Sequence, residues 1–135
     1  RPIRLRAPYF GLRQDIVLGP QQRLVMSGSQ VEYLFGREAV LVPARHLVND
    51  RSAFLARGPD LVTYYHLLLP GHEVIMAAGC PIESLYLGRL RRKPEAIAAS
   101  LLAPFDRSRL PEHPKPVWPV LKPFEAVTLA MTRAA

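Results

Sequence analysis

Residues 61–79, LVTYYHLLLPGHEVIMAAG, constrain the fold more than any other stretch of the chain. Two apolar runs, 61–69 and 73–77, lie on either side of the dipeptide Pro70-Gly71. Val, Thr, Tyr, Ile and Leu suit a pleated, half-buried surface, and Pro-Gly is a strong break between two elements. The stretch therefore predicts two neighbouring strands joined by a short connection.

Short strand candidates precede this stretch. Apolar–polar alternation and turn residues at close spacing predict strands at residues 3–6, 15–18, 23–26, 31–35 and 52–56. Several short strands with frequent turns, followed by helices only late in the chain, predict a mainly β fold with two short C-terminal helices.

The two helices are predicted from prolines in their first turns. One begins at residues 93–95 (KPE) and the other at 122–123 (KP), where a proline costs no helical hydrogen bond. In the second helix, Phe124, Val127 and Met131 recur at offsets of three and four residues. This face is predicted to dock on the core.

Four prolines interrupt residues 106–119, which excludes a continuous helix or a central strand there. This segment is expected to be extended and to pack against the body through Val117 and Trp118. His113 is expected to lie in solvent. If strand edges are left open elsewhere, this tail is one element that could cover them; a homo-oligomer or a bound fragment is the alternative.

Charge and cysteine content bound the possible functions. The formal net charge is +7, from 18 basic and 11 acidic residues, and a basic surface can attract nucleic acid or anionic lipid. The bases are scattered except at 89–93 (RLRRK), where no aromatic residue offers a stacking surface, so nucleic-acid binding is not favoured. No run approaches the roughly 20 apolar residues of a membrane-spanning helix.

Neither the histidines nor the cysteine forms a recognisable catalytic or metal-binding motif. His66 and His72 would project from opposite faces of a two-residue hairpin, and no third ligand follows at a typical spacing, so neither a metal nor another cofactor is expected. Cys80 is the only cysteine, which excludes an intramolecular disulfide. It is predicted to be a small buried apolar residue and not a nucleophile.

Three stretches together, DIVLGPQQRLVMSG, VEYLFGREAVLVPARHLVND and VTYYHLLLPGHEVIMAAGCPIES, resemble the bacterial branch of the Hint family. This is the domain shared by hedgehog autoprocessing proteins and inteins. The resemblance implies that residues 1–88 form the C-terminal portion of a horseshoe-like β domain. Residues 89–135 would then add a helix, a proline-rich extended segment and a terminal helix packed on it.

The resemblance also implies a chemistry. Active members use an N-terminal Cys or Ser to attack the preceding peptide carbonyl, and the resulting thioester or ester is cleaved or transferred. By resemblance, the catalytic positions of this chain are His72, His66 and Gln22. The alternative for both histidines is a structural role, in which their ring nitrogens form hydrogen bonds with backbone groups at strand ends.

The chain departs from the pattern of the family where the chemistry is most demanding. The branch has a motif like Ser-Pro-x-His where this chain has Gly19-Pro20-Gln21-Gln22. Glutamine can hydrogen-bond to an amide but cannot exchange a proton near pH 7. The chain starts at Arg1, beyond the place expected for the nucleophile, and lacks a terminal His-Asn pair.

A self-processing domain with slow or absent activity is therefore the leading hypothesis. A non-catalytic basic β module that binds a partner is the alternative. The expected partner is an upstream segment or the host polypeptide. The compartment stays open between the bacterial cytoplasm and secretion as part of a larger protein.

Overall fold

The computed structural model describes residues 1–57 and 66–134. Within them, seven strands form two antiparallel sheets, which confirms the mainly β prediction. One sheet has the order β2-β1-β5 and the other β4-β3-β7-β6. The strands are β1 Ile3–Leu5, β2 Ile16–Leu18, β3 Arg23–Ser27, β4 Ala39–Pro43, β5 Ala53–Leu55, β6 Val74–Ala77 and β7 Cys80–Glu83.

The predicted strand at 73–77 is present as β6, and within the described residues its partner is the strand that follows it. β6 pairs with β7, with Ala77 opposite Cys80. The turn between them is Ala78-Gly79, where both residues have positive φ (51° and 98°), as favoured two-residue hairpin turns of type I′ require. A Cβ atom at Gly79 would collide with the carbonyl oxygen of Gly11, so only glycine fits there.

The first predicted strand of that pair, 61–69, is only partly described. Residues 61–65 lie outside the described part of the chain, and residues 66–69 form no strand. The break at Pro70-Gly71 is confirmed as a bend between these residues and β6. Pro70 cannot take the positive φ of a two-residue hairpin turn, so this bend differs from the tight turn at Ala78-Gly79.

The predicted strand at 31–35 is wrong, because these residues lie in helix α1, Ser29–Phe35. Val31, Leu34 and Phe35 recur at offsets of three and four residues and pack into one apolar cluster. Gly36 ends the helix in a left-handed conformation with φ of 63°. The helical spacing of these side chains prevails over the imperfect alternation between apolar and polar residues.

Both late helices are confirmed as α2, Pro94–Ala98, and α3, Pro123–Ala134. The proline-rich segment before α3 covers one sheet edge. The N–H of Leu41 in β4 donates to the Pro119 carbonyl at 2.8 Å, and the N–H of Leu121 donates to the Leu41 carbonyl at 2.9 Å. The tail therefore extends the four-stranded sheet in a parallel direction, one of the arrangements predicted for it.

The face that α3 presents to the core was predicted wrongly. Phe124, Val127 and Met131 are exposed by 67%, 55% and 70%, whereas Ala126 and Leu129 are almost fully buried. The pairing beside β4 fixes where the chain enters the helix, and this turns a different side of α3 inward. No helix in the described residues is long and apolar enough to cross a bilayer.

The core consists of three apolar clusters. One lies around the two sheets and is centred on Ile3, Leu5 and Leu24. A second is shared by α1, β4 and α3, and the third joins Leu87 to Ile97 and Leu110 in the tail. The predicted division at residue 88 stays a prediction.

Candidate functional site

A cleft of about 400 Å³ lies where β3 begins, β4 ends and the chain leaves β7. Such a volume suits a small ligand or a few peptide residues. Its apolar wall includes Pro43, Leu85 and Val120. Its polar lining includes Gln21, Gln22, Arg45, His66, Ser84 and Tyr86, together with the ion pair of Arg23 and Glu83.

Backbone hydrogen bonds bring two of these polar residues together. β3 and β4 pair with Arg23 opposite Pro43. Beyond that pair, the N–H of Ala44 donates to the Gln22 carbonyl at 2.8 Å, and the N–H of Arg45 donates to the Pro20 carbonyl at 3.0 Å. The antiparallel ladder thus continues into the turns and places Gln22 beside Arg45 on one wall of the cleft.

The buried carboxylate of Glu83 is the centre of the polar network behind this wall. Its Oε2 accepts from the backbone N–H of Arg23 at 2.8 Å and from Nε of the same arginine at 2.7 Å. Its Oε1 accepts from Nη2 of Arg23 at 2.7 Å and pairs with Nε2 of His72 at 2.8 Å. Both oxygens of this carboxylate are thus engaged, in four hydrogen bonds within the protein.

His72 is held in one tautomer by two partners. Its Nδ1 accepts from the backbone N–H of Val117 at 2.9 Å, so the ring proton lies on Nε2 and is donated to Glu83. Burial lowers the pKa of His72, because the imidazolium is desolvated; Glu83 opposes this shift, and Arg23 and His113 add to it. His72 is therefore a neutral structural link between β7 and the tail in this arrangement.

His113 and Tyr86 complete the network, and His113 is buried, contrary to the sequence prediction. His113 is 1% exposed; its Nδ1 accepts from the N–H of Leu87 at 3.0 Å, and its Nε2 lies 3.0 Å from the Leu69 carbonyl. The Tyr86 ring lies 4.9 Å from the His72 ring and 5.9 Å from the His113 ring, between centroids. We call Arg23, His72, Glu83, Tyr86 and His113 the polar cluster.

The three residues predicted to be catalytic have different places relative to the cleft. Gln22 and His66 both line it, and His66 is exposed. His72 reaches the cleft only through its hydrogen bond to Glu83, which lines it. The structure thus brings the three positions into one region, and their catalytic roles stay a prediction.

Sequence analysis missed the partners of His72. Glu83 is 60 residues from Arg23 and 11 from His72 along the chain, and no motif joins the three. The sequence pattern here is misleading. Cys80, Ile82 and Ser84 alternate along the strand and are buried, which predicts that Glu83, between two of them, faces water. Glu83 is buried as well, because Arg23 neutralises its charge.

Cys80 is buried, as predicted, with 1% exposure. Burial raises the pKa of its thiol to about 11, so the reactive thiolate is scarce near neutral pH. No group of three His, Cys, Asp or Glu side chains within residues 1–57 and 66–134 has an arrangement that could hold a metal ion. Among the described residues of the cleft lining, His66 is an exposed histidine.

Comparison with known proteins assigns the family. No curated protein and no solved structure matches the chain. The family model for the Hint domain matches residues 1–89 of the 135 in the chain. The match covers both sheets and the walls of the cleft up to Tyr86, and this chain therefore belongs to the Hint domain family.

Proposed function

We propose that this chain is a portion of a self-processing domain of the Hint type whose acyl-shift activity is slow or lost. In the ancestral reaction, the nucleophile forms an ester or thioester at a backbone carbonyl, and the amide nitrogen of the broken peptide bond takes up a proton. The cleft would hold that peptide bond. The observation that carries the proposal is that Gln22 and His66 line one cleft against the Glu83–His72 pair.

Each residue of the cleft has a separate part in this proposal. His66 is exposed and can give or take a proton. The amide of Gln22 can orient a peptide group by hydrogen bonds, but it supplies no proton to the leaving nitrogen. His72, whose two ring nitrogens are both occupied, positions Glu83 and the tail and does not act on a substrate directly.

The test restores the proton donor and supplies a nucleophile. The chain is extended before Arg1 by an upstream Hint segment that carries its cysteine nucleophile, and self-cleavage is followed by gel electrophoresis and intact mass in the parent and in Gln22→His. A positioned general acid contributes about a hundred- to ten-thousand-fold in rate, so Gln22→His is expected to cleave at least about a hundredfold faster. The increase should disappear when the added cysteine is replaced by alanine.

Gln14→His is the matched control, because Gln14 is exposed and lies outside the cleft. It should leave the cleavage rate at the level of the parent. Equal cleavage by Gln22→His and its parent would remove Gln22 from the proposed role.

A non-catalytic binding module is the second candidate, and the saturation of Glu83 favours it. All four hydrogen bonds of this carboxylate are internal to the protein, and both nitrogens of His72 are engaged. A network of this kind stabilises a fixed surface and offers no free base. Binding of a partner by the parent chain, with no cleavage in any fusion, is the outcome expected of this candidate.

A further inference from the structure

The cleft carries an unbalanced positive charge. Within its described lining, the one acidic side chain is Glu83, and Arg23 neutralises it through contacts of 2.7 Å. Arg45 also lines the cleft and is exposed, and no carboxylate of the described residues lies within ion-pair distance of it. The net charge of Arg23, Arg45 and Glu83 in the lining is thus about +1.

The neutral groups beside Arg45 are suited to the same kind of ligand. The backbone bonds from Ala44 to Gln22 and from Arg45 to Pro20 bring these two segments together, and Gln22 and Arg45 both line the cleft. A guanidinium can bind a carboxylate through two parallel hydrogen bonds, and an amide N–H can add a third. The cleft lining therefore contains a guanidinium and a neutral amide, and Arg45 has no acidic partner among the described residues.

The apolar wall restricts what can be attached to that acidic group. Pro43, Leu85 and Val120 line the cleft, and the Tyr86 ring lies beside them. About 400 Å³ leaves room for a short stretch of peptide and not for a folded domain. A small aliphatic side chain next to a carboxylate satisfies both walls.

We propose that this cleft binds a carboxylate group of a peptide, with Arg45 as the ion-pair partner and Gln22 as an additional hydrogen-bond donor. The proposal deepens the proposed function and rests on it in one respect, namely that the ligand is a peptide. The carboxylate has two possible sources: the free C-terminus left when a peptide bond is hydrolysed, or the side chain of an Asp or Glu within the peptide.

The experiment uses three acetylated tripeptides and the full chain labelled with ¹⁵N. The first peptide is alanine–alanine–leucine with a free C-terminus, the second is the same peptide as its C-terminal amide, and the third is alanine–aspartate–leucine amide. Amide chemical shifts are followed on titration. The first, the third or both should bind and shift resonances around the cleft, and the second should bind at least about tenfold more weakly because it lacks the charged partner of Arg45.

Binding of the first peptide alone assigns the cleft to a cleaved C-terminus, and binding of the third alone assigns it to an acidic side chain. Binding of both leaves the carboxylate as the feature recognised in either source. Equal binding of the second peptide, or no binding of any, overturns the proposal.

Variants locate the contact. Arg45→Gln should weaken carboxylate binding at least about tenfold, and Arg45→Lys should recover part of it, because lysine keeps the charge without the planar pair of donors. Arg89→Gln is the matched control: it removes the same charge from an exposed residue outside the cleft lining and should leave affinity unchanged. An equal loss in Arg89→Gln would attribute binding to overall charge and refute a site at Arg45.

The two proposals fail separately. Cleavage assays on the fusions can give no product while the parent chain still binds carboxylate peptides, which refutes self-processing and supports this site. Conversely, Gln22→His can restore cleavage while the parent chain binds none of the three peptides. That result supports self-processing and refutes the carboxylate site.

Discussion

Glu83 connects three parts of the chain that lie far apart in sequence. Its carboxylate joins the first residue of β3 to His72 before β6, and His72 in turn accepts a hydrogen bond from Val117 in the tail. A buried charge is tolerated only when it is paired and hydrogen-bonded. The two oxygens of Glu83 meet that condition with four hydrogen bonds.

Glu83→Gln should therefore destabilise the protein strongly. The variant keeps the shape of the side chain but leaves the Arg23 guanidinium, whose side chain is 15% exposed, without its counter-charge. Removing one partner of a buried pair costs about 3–5 kcal/mol of the free energy of unfolding. Urea denaturation followed by circular dichroism measures it.

Glu38→Gln is the control for that substitution, because Glu38 is exposed and has no ion pair among the described residues. Its denaturation midpoint should stay at the parent value. A Glu83→Gln variant as stable as Glu38→Gln would show that the network does not stabilise the fold.

At this scale the sequence indicated positions but not roles. The resemblance pointed to His66, His72 and Gln22, and all three lie in or next to one cleft. That a histidine is hydrogen-bonded within the fold was one alternative, but its partners Glu83 and Val117 could not be predicted, because they lie 11 and 45 residues away along the chain. Tautomer and hydrogen-bond state depend on tertiary contacts, which residue spacing does not encode.

At the scale of elements, strands bounded by clear turn residues were predictable. β1, β2, β3 and β5 lie within the predicted ranges or overlap them closely, because alternation and Gly or Pro boundaries agree there. α1 was not predicted, because its apolar residues satisfy helical and strand periodicity almost equally over seven residues. The pairing of β6 with β7 was not predicted, because Ala78 carries no turn signal although it takes a positive φ in the hairpin.

The orientation of α3 gives a direct test at this scale. Leu129 is 2% exposed and packs with α1 and β4, so Leu129→Ala should reduce the free energy of unfolding by about 2–5 kcal/mol. Met131→Ala removes a side chain that is 70% exposed, and its midpoint should stay close to that of the parent. Urea denaturation of both variants decides between the two faces. A larger loss for Met131→Ala would restore the face predicted from sequence.

For the whole molecule, the polar cluster makes stability depend on pH. The pKa of His72 is lowered in the folded protein from the ordinary value of 6.5. As pH falls, His72 therefore binds a proton in the unfolded chain before it does so in the folded protein. The stabilisation is fully present above about pH 6.5, and it is lost as the pH falls below that value and through the lowered pKa of the folded state. The groups facing His72 are Glu83, Arg23, Tyr86, His113 and the N–H of Val117.

The free energy of unfolding, measured in urea at pH 7.5 and at pH 5, should fall more in the parent than in His72→Gln. Glutamine offers Glu83 an amide donor but does not titrate. His46→Gln removes a half-buried histidine outside the polar cluster whose pKa is also lowered, by burial and by Arg45, so it measures separately what that second histidine contributes to the fall. An unchanged pH dependence in His72→Gln would exclude His72 as its source.

The parallel contact between Leu41 and the segment Pro119–Leu121 has a consequence for biosynthesis. A ribosome delivers β4 long before its outer neighbour, so a nascent chain carries a bare strand edge until almost the whole of this sequence has emerged. Val117, just before that segment, brings the N–H that donates to Nδ1 of His72. Premature termination anywhere before Val117 would thus leave both the edge and the imidazole without their partners, and such fragments are the natural targets of chaperones and proteases.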